Sequence, residues 1–153
     1  MTLYSIALFL HIVGALLLFA LLAVEGASMV QGKSAARFNQ VLGPLSLVFI
    51  LFPGLYMVAT TWGWKGWIVV GVTSWLLIAI VGTLTGVLLL RQRLSVGAAS
   101  VSWAGRVGLA TGVVFVMTVK PEVLVALAAV VIGAIAGVAA VGLAIRRPPR
   151  AEA

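Results

Sequence analysis

The stretch Leu3–Val24, LYSIALFLHIVGALLLFALLAV, decides what kind of fold this chain adopts. It contains no Lys, Arg, Asp or Glu, and it is longer than the roughly 20 apolar residues that a helix needs to cross a bilayer. No positive side chain precedes it, whereas a signal peptide opens with positive charge. We therefore expect a retained transmembrane helix with its N-terminus outside the cytoplasm.

Four further apolar stretches follow the first one. They run approximately over Val41–Trp62, Trp67–Leu90, Val101–Val119 and Val123–Ile145. The chain is 63% hydrophobic and 8% charged, whereas soluble domains are about 45–50% apolar and about 25% charged. The sequence thus predicts an all-α polytopic membrane bundle of five transmembrane helices, with residues 1–145 as one domain and residues 146–153 as a basic cytoplasmic tail.

The positive charges fall mainly on one side of these five spans. Two lysines, Lys65 and Lys120, fall on the opposite side from the other eight cations, which are Lys33, Arg37, Arg91, Arg93, Arg106, Arg146, Arg147 and Arg150. Loops rich in Lys and Arg face the cytoplasm. The pattern predicts an outside N-terminus and a cytoplasmic C-terminus. The cations behind the net charge of +7 are therefore expected to contact lipid headgroups rather than nucleic acid.

Two spans have irregular features. The second contains Gly43-Pro44 and Pro53-Gly54, where we expect kinks because proline removes a backbone donor. The fourth has a short uncharged core, and the preceding segment Ser95–Ser102 is rich in small residues. We expect that segment to be a loop or an interfacial half-turn.

Tryptophans surround Lys65 in the turn between the second and third spans, at positions 62, 64 and 67. Because tryptophan prefers the headgroup level, this turn is expected to mark the outer membrane boundary.

Small residues recur four positions apart in three of the spans, which lets helix backbones approach closely. They either pack the helices of one chain together or form the contact of a homo-oligomer. The pairs are Gly82 with Gly86, Gly108 with Gly112, and Gly133 with Gly137.

His11 is the only histidine of the chain, and it lies within an apolar span. Ionisable groups inside a membrane usually face the protein interior and are functional candidates. His11 could be a haem axial ligand, a proton-transfer group or a ligand-orienting donor. The structural alternative is a neutral imidazole that is hydrogen-bonded to a carbonyl or a tryptophan of a neighbouring helix.

Other side chains are expected at nearly the same depth as His11. By the 1.5 Å rise per residue, Trp75 reaches that depth, while Tyr56, Met57 and Met117 lie somewhat closer to the outer surface. Methionine in such a helix is usually a packing residue. The cofactor hypothesis is haem b bound by His11 with Met57 or Met117, beside Trp75.

Glu25 projects from nearly the same helix face as His11, close to the cytoplasmic boundary. Arg106 enters the fourth span from that side, so a Glu25–Arg106 ion pair is expected to join the two helices. The functional alternative is an anchor for a carboxylate or phosphate headgroup, built from Arg106 with Arg91 or Arg93.

Familiar catalytic signatures are missing from the sequence. It has no cysteine, no phosphate-binding glycine loop, no serine–histidine–acid set and no paired carboxylates. The sequence therefore gives no reason to expect an enzyme.

Several short motifs resemble a superfamily of small bacterial membrane proteins. That superfamily includes copper-resistance-D-type proteins, the small membrane-bound protoporphyrinogen oxidase and membrane proteins of unknown function. The first motif is Leu10-His11-Ile12-Val13-Gly14, which is similar to its Leu-His-x-x-Gly opening. The others are Gly43-Pro44, Arg91–Leu94, Arg106 and Met117-Thr118-Val119-Lys120-Pro121, which are similar to the branch of unknown function.

The resemblance implies a multi-pass protein of the bacterial cytoplasmic membrane. In the oxidase branch, a first-helix histidine and a third-helix lysine are tied to haem and activity. His11 matches the histidine, but the third span of this chain contains no lysine. The missing lysine argues against oxidase activity and leaves haem or porphyrin binding open.

Three functional hypotheses follow. The leading one is a non-enzymatic small membrane protein that is an accessory subunit of a larger membrane complex. Its expected partners are the lipid bilayer and other membrane-protein subunits or further copies of this chain. The first alternative is a haem- or porphyrin-binding membrane protein that uses His11. The second alternative, a transporter of small solutes or metals, rests only on the expected kinks of the second span.

Overall fold

Five long helices make up the computed structural model, which describes residues 2–31 and 36–145. Each of them is long and apolar enough to cross a membrane, so the chain is a multi-pass membrane protein. The described part contains no strand. Lys33 and the predicted basic tail, residues 146–153, lie outside the described residues. The helices are α1 (Leu3–Val30), α2 (Ala36–Met57), α3 (Gly66–Leu90), α4 (Val96–Val119) and α5 (Val123–Ile145).

The fourth span is a longer helix than the sequence suggested. The prediction of a loop over Ser95–Ser102 is wrong, because α4 begins at Val96. Ser95 caps the helix, and its hydroxyl accepts a hydrogen bond of 3.2 Å from the Ala98 N–H. Because the bilayer core has no water to bond backbone groups, a run of small residues with a capping serine is best satisfied as helix. The resulting 24 residues span about 36 Å.

The second span remains α-helical through both of its prolines. Pro53 has no N–H to donate to the carbonyl of Phe49, so one bond of the helical ladder is missing there. One turn later the α-helix gives way to a π-helical turn, Val58–Trp62. Single π-turns of this kind often lie near functional sites. The irregular part of the span therefore extends from Pro53 to Trp62.

The chain divides into two compact units, residues 1–69 and residues 70–153. In the first unit α1 and α2 pack in antiparallel directions, since Gly14 lies against Ile50 while His11 lies against Gly54. An added Cβ at Gly14 would lie 2.7 Å from the backbone nitrogen of Ile50. The two backbones can approach this closely only because position 14 has no side chain.

In the second unit α3 runs antiparallel to α4, and side chains of α4 fill gaps above glycines of α3. The methyl group of Met117 contacts Gly71, and the guanidinium of Arg106 lies against Gly82. Farther along α3, the Thr85 hydroxyl bonds the Ser102 hydroxyl at 2.7 Å. Residues nearer the C-terminal end of α3 therefore contact residues nearer the N-terminal end of α4.

Glycines also join α4 to α5 through direct backbone contact, which we call the glycine interface (Gly108, Gly112, Gly133 and Gly137). A Cβ at Gly108 would collide with the carbonyl oxygen of Gly133, and one at Gly112 would lie 2.7 Å from the Cα of Val130. These two small-residue pairs thus pack helices of one chain, as the first of the two interpretations predicted.

We predict that Gly137→Ala destabilises the protein, whereas Gly142→Ala on the same helix does not. The added methyl at position 137 meets the carbonyl group of Ala104, but no atom of the described residues lies within 4 Å of the corresponding position at Gly142. Overpacking typically costs about 1–3 kcal/mol. The free energy of unfolding, measured by circular dichroism during SDS titration in mixed micelles, should fall by that amount for Gly137→Ala only. Equal losses in both variants would contradict the interface.

Candidate functional site

His11 is half-buried on α1 and is hydrogen-bonded to the backbone of α2. Its Nδ1 lies 2.8 Å from the carbonyl oxygen of Ile50. A carbonyl oxygen only accepts hydrogen bonds, so Nδ1 carries a proton and donates it. In the neutral imidazole the lone pair is therefore on Nε2. This contact is the one that the structural alternative for His11 predicted, a hydrogen bond to a carbonyl of a neighbouring helix.

The Pro53-Gly54 sequence explains how α2 accommodates the imidazole. An added Cβ at Gly54 would lie 3.2 Å from both Cε1 and Nδ1 of His11, so a larger residue would press on the ring. Pro53, directly before it, is buried and interrupts the ladder beside Ile50. At the level of His11, α2 thus presents the carbonyl oxygen of Ile50 and, at Gly54, a surface without a side chain.

Nε2 is the chemically available atom of this histidine. Within residues 2–31 and 36–145 the only hydrogen bond of the imidazole is the one made by Nδ1. Histidines that bind metals usually donate their other ring N–H to a carbonyl or a carboxylate, which fixes the tautomer and the ring orientation. His11 has this arrangement toward Ile50, so its Nε2 could bind a metal ion or accept a proton.

The predicted layer around His11 has members in both units. In the first unit Met57 is buried on α2, one turn beyond Gly54. In the second unit Met117 contacts Gly71, and Trp75 lies one turn farther along α3. The indole Nε1 of Trp75 is buried and has no hydrogen-bond partner in the described part of the chain. That the four side chains surround one cofactor stays a prediction.

The acidic and basic candidates also belong to different units. Glu25 lies in the first unit and Arg106 in the second, and each is only 6% exposed. Buried charges are costly unless they are paired or hydrogen-bonded. A Glu25–Arg106 ion pair stays a prediction.

The arginine anchor was predicted to combine Arg106 with Arg91 or Arg93. Arg91 and Arg93 are exposed just after α3 ends at Leu90, whereas Arg106 contacts α3 at Gly82. Gly82 and Arg91 are separated by about 13 Å of helix rise. The arginines therefore occupy two levels along α3, and their joint binding of a headgroup stays a prediction.

The structure also brings together polar groups that the sequence analysis did not single out. Thr85 is buried and bonds Ser102 across α3 and α4, one turn from Arg106. The carbonyl of Ile50 is the partner of His11. Only the neighbouring Pro53-Gly54 could have indicated that carbonyl, since a proline marks where a helix has irregular backbone bonding.

Metal binding by several side chains has no support in the described residues. No group of three or more His, Asp or Glu side chains there is arranged to hold a metal ion. The chain has one histidine and no cysteine, so its soft or nitrogen ligands are limited to one imidazole and the methionines.

Comparison of the chain with protein-family models, curated proteins and solved structures gives no match. The resemblance to the copper-resistance-D superfamily therefore stays a prediction from short motifs.

We predict that neutral His11 is the tautomer with the proton on Nδ1. Because the chain has one histidine, the ¹⁵N spectrum of histidine-labelled protein in bilayers contains a single pair of ring signals. The Nδ1 signal should have the chemical shift of a protonated ring nitrogen. The Nε2 signal should have the chemical shift of an unprotonated one. A proton on Nε2 with bare Nδ1 would contradict the hydrogen bond to Ile50.

Proposed function

We propose that this chain is a non-catalytic membrane protein that works as a subunit of a larger membrane complex. The observation that carries the proposal is the exposure of α5. Only 11% of the 18-residue apolar segment of this helix is buried, the lowest share of the five, against 17% for α2, 22% for α1 and 33% for α3 and for α4. Its side toward α4 is occupied by the glycine interface, while large aliphatic side chains such as Ile135 are exposed. A helix attached along one narrow face leaves the rest of its surface for another membrane helix.

The polar groups of the spans support the same proposal. His11 bonds the α2 backbone, and Thr85 of α3 bonds Ser102 of α4. Interhelical hydrogen bonds of this kind contribute on average about 0.6 kcal/mol each in a membrane. These side chains are used to hold helices in register, which is what a scaffold requires. The proposed location is the bacterial cytoplasmic membrane with the N-terminus outside, as the charge distribution indicates.

We predict that a photo-cross-linking amino acid at Ile135 captures a different membrane protein. The control position is Leu16 on α1, which is similarly exposed at 65% against 63% for Ile135. Cross-linking in native membranes, followed by mass spectrometry, should give one adduct of defined mass at position 135 and none at position 16. Adducts with lipid alone, or equal capture at both positions, would contradict the role of α5.

Haem binding through His11 is the second candidate function. The observation that favours it is the hydrogen bond from Nδ1 to Ile50, which leaves Nε2 as the ligand atom in the arrangement typical of metal-bound histidines. His11 would hold the iron, with buried Met57 as a candidate second ligand from the same unit. A bound haem would supply one-electron redox chemistry. The two candidates are compatible, because a subunit of a complex can carry a haem.

We predict that, if His11 binds haem, protein purified from haem-replete cells has a Soret band and sharp bands after dithionite reduction. His11→Ala should lose them, because the iron loses its nitrogen ligand. Leu16→Ala is the matched control, since Leu16 lies on the same helix and its side chain is 65% exposed. A colourless wild-type protein, with His11→Ala indistinguishable from it, would rule out this candidate.

A further inference from the structure

The turn between α2 and α3 carries an ordered group of aromatic side chains around one cation. We call it the tryptophan turn and define it as Trp62, Trp64, Lys65 and Trp67. The Trp62 and Trp67 rings meet edge to face, with centroids 5.9 Å apart at 79°. The ammonium of Lys65 lies 5.8 Å from the centroid of the Trp62 ring. Trp64 is 66% exposed.

The backbone holds this turn at both ends. The π-helical turn ends at Trp62, and the Gly63 N–H donates to the Val58 carbonyl at 2.8 Å. Gly63 has a φ of +64°, a conformation that residues with a side chain rarely adopt. After the reversal, the Lys65 carbonyl accepts bonds from Ile68 and Val69, the first of which is 3.0 Å long. Trp62 and Lys65 are therefore positioned before any ligand binds.

Charge distinguishes this turn from the rest of α2 and α3. Lys65 is the only charged residue between Arg37 and Arg91. Among the described residues, the ammonium of Lys65 lies over the ring of Trp62 and pairs with no carboxylate. An ammonium has three N–H donors, and an aromatic face accepts from one direction only. The cation therefore has donors left for an anion that arrives from outside the protein.

The surroundings of the turn indicate what kind of anion that is. The turn joins two membrane-spanning helices, so it lies at the depth of the lipid headgroups. Exposed aliphatic side chains flank it on both helices, with Leu55 at 39% and Val69 at 50% exposure. A phospholipid has a phosphate for the lysine and acyl chains for these side chains. Free phosphate would make only the first of these contacts.

We propose that the tryptophan turn is a binding site for the headgroup of an anionic phospholipid. Lys65 contacts the phosphate, Trp62 holds the ammonium in place, and exposed Trp64 lies at the boundary between headgroups and acyl chains. The acyl chains extend past Leu55 and Val69. The site is independent of the proposed function, since it involves neither α5 nor His11.

The test measures lipid binding to the full chain by native mass spectrometry, with phosphatidylglycerol titrated into a mild detergent. Lys65→Gln should weaken the first bound phosphatidylglycerol about fivefold, the effect of removing one cation at a membrane surface. Phosphatidylcholine binding should weaken less, because its choline cation offsets the charge of the phosphate. Trp62→Leu should also weaken phosphatidylglycerol binding, because the ammonium loses its aromatic support.

The matched control is Lys120→Gln, which removes the same charge from the turn between α4 and α5. Lys120 has a φ of 54°, and Gln92 has the same φ in this chain, so glutamine fits that backbone. Unchanged binding in this control, together with the loss in Lys65→Gln, would support the site. Equal losses in both variants, no loss in Lys65→Gln, or displacement of the lipid by millimolar inorganic phosphate would overturn it.

Discussion

A bilayer core contains no water to bond backbone N–H and carbonyl groups, and every feature of this chain depends on that constraint. It makes each apolar stretch a helix, and it extends α4 back to Val96 through residues that looked like a loop. It also makes Pro53 important, since it is one of the two prolines at which the α2 ladder loses a bond. The histidine that donates to Ile50 lies beside this same interruption.

Association of the helices relies on close backbone contact rather than on the hydrophobic effect, because lipid tails are as apolar as the side chains. Glycines contribute to helix packing in two ways. Gly14 lets α1 touch the backbone of α2, and Gly108 lets α4 touch α5. Gly82 instead gives room to the long side chain of Arg106. The same residue type therefore supports backbone contact in some places and burial of a charged group in another.

The polar residues fall into two classes that correspond to two kinds of proposed role. Within the spans, His11, Thr85 and Ser102 bond groups of the protein itself, which stabilises helix pairs. At the tryptophan turn, the ammonium of Lys65 is placed by an aromatic ring and keeps donors for lipid. His11 combines the two kinds of role. Its Nδ1 bonds the protein itself, and its Nε2 is a potential ligand atom. This dual use makes a scaffold and a haem-binding subunit compatible.

The sequence by itself determined the helical membrane class, the number of spans and the residues that merit attention, because length and hydropathy decide whether a segment can cross a bilayer. His11, the proline–glycine pairs and the glycine spacing were all visible there. The sequence could not reveal the start of α4, which depends on the Ser95 cap, or the carbonyl that His11 selects. Those features, and the pairing of Gly108 with Gly133 rather than with another small residue, were decided only by the tertiary structure. The physical reason is that helix rotation and register follow from side-chain fit between segments distant in the chain, whereas hydropathy is a local property of each segment.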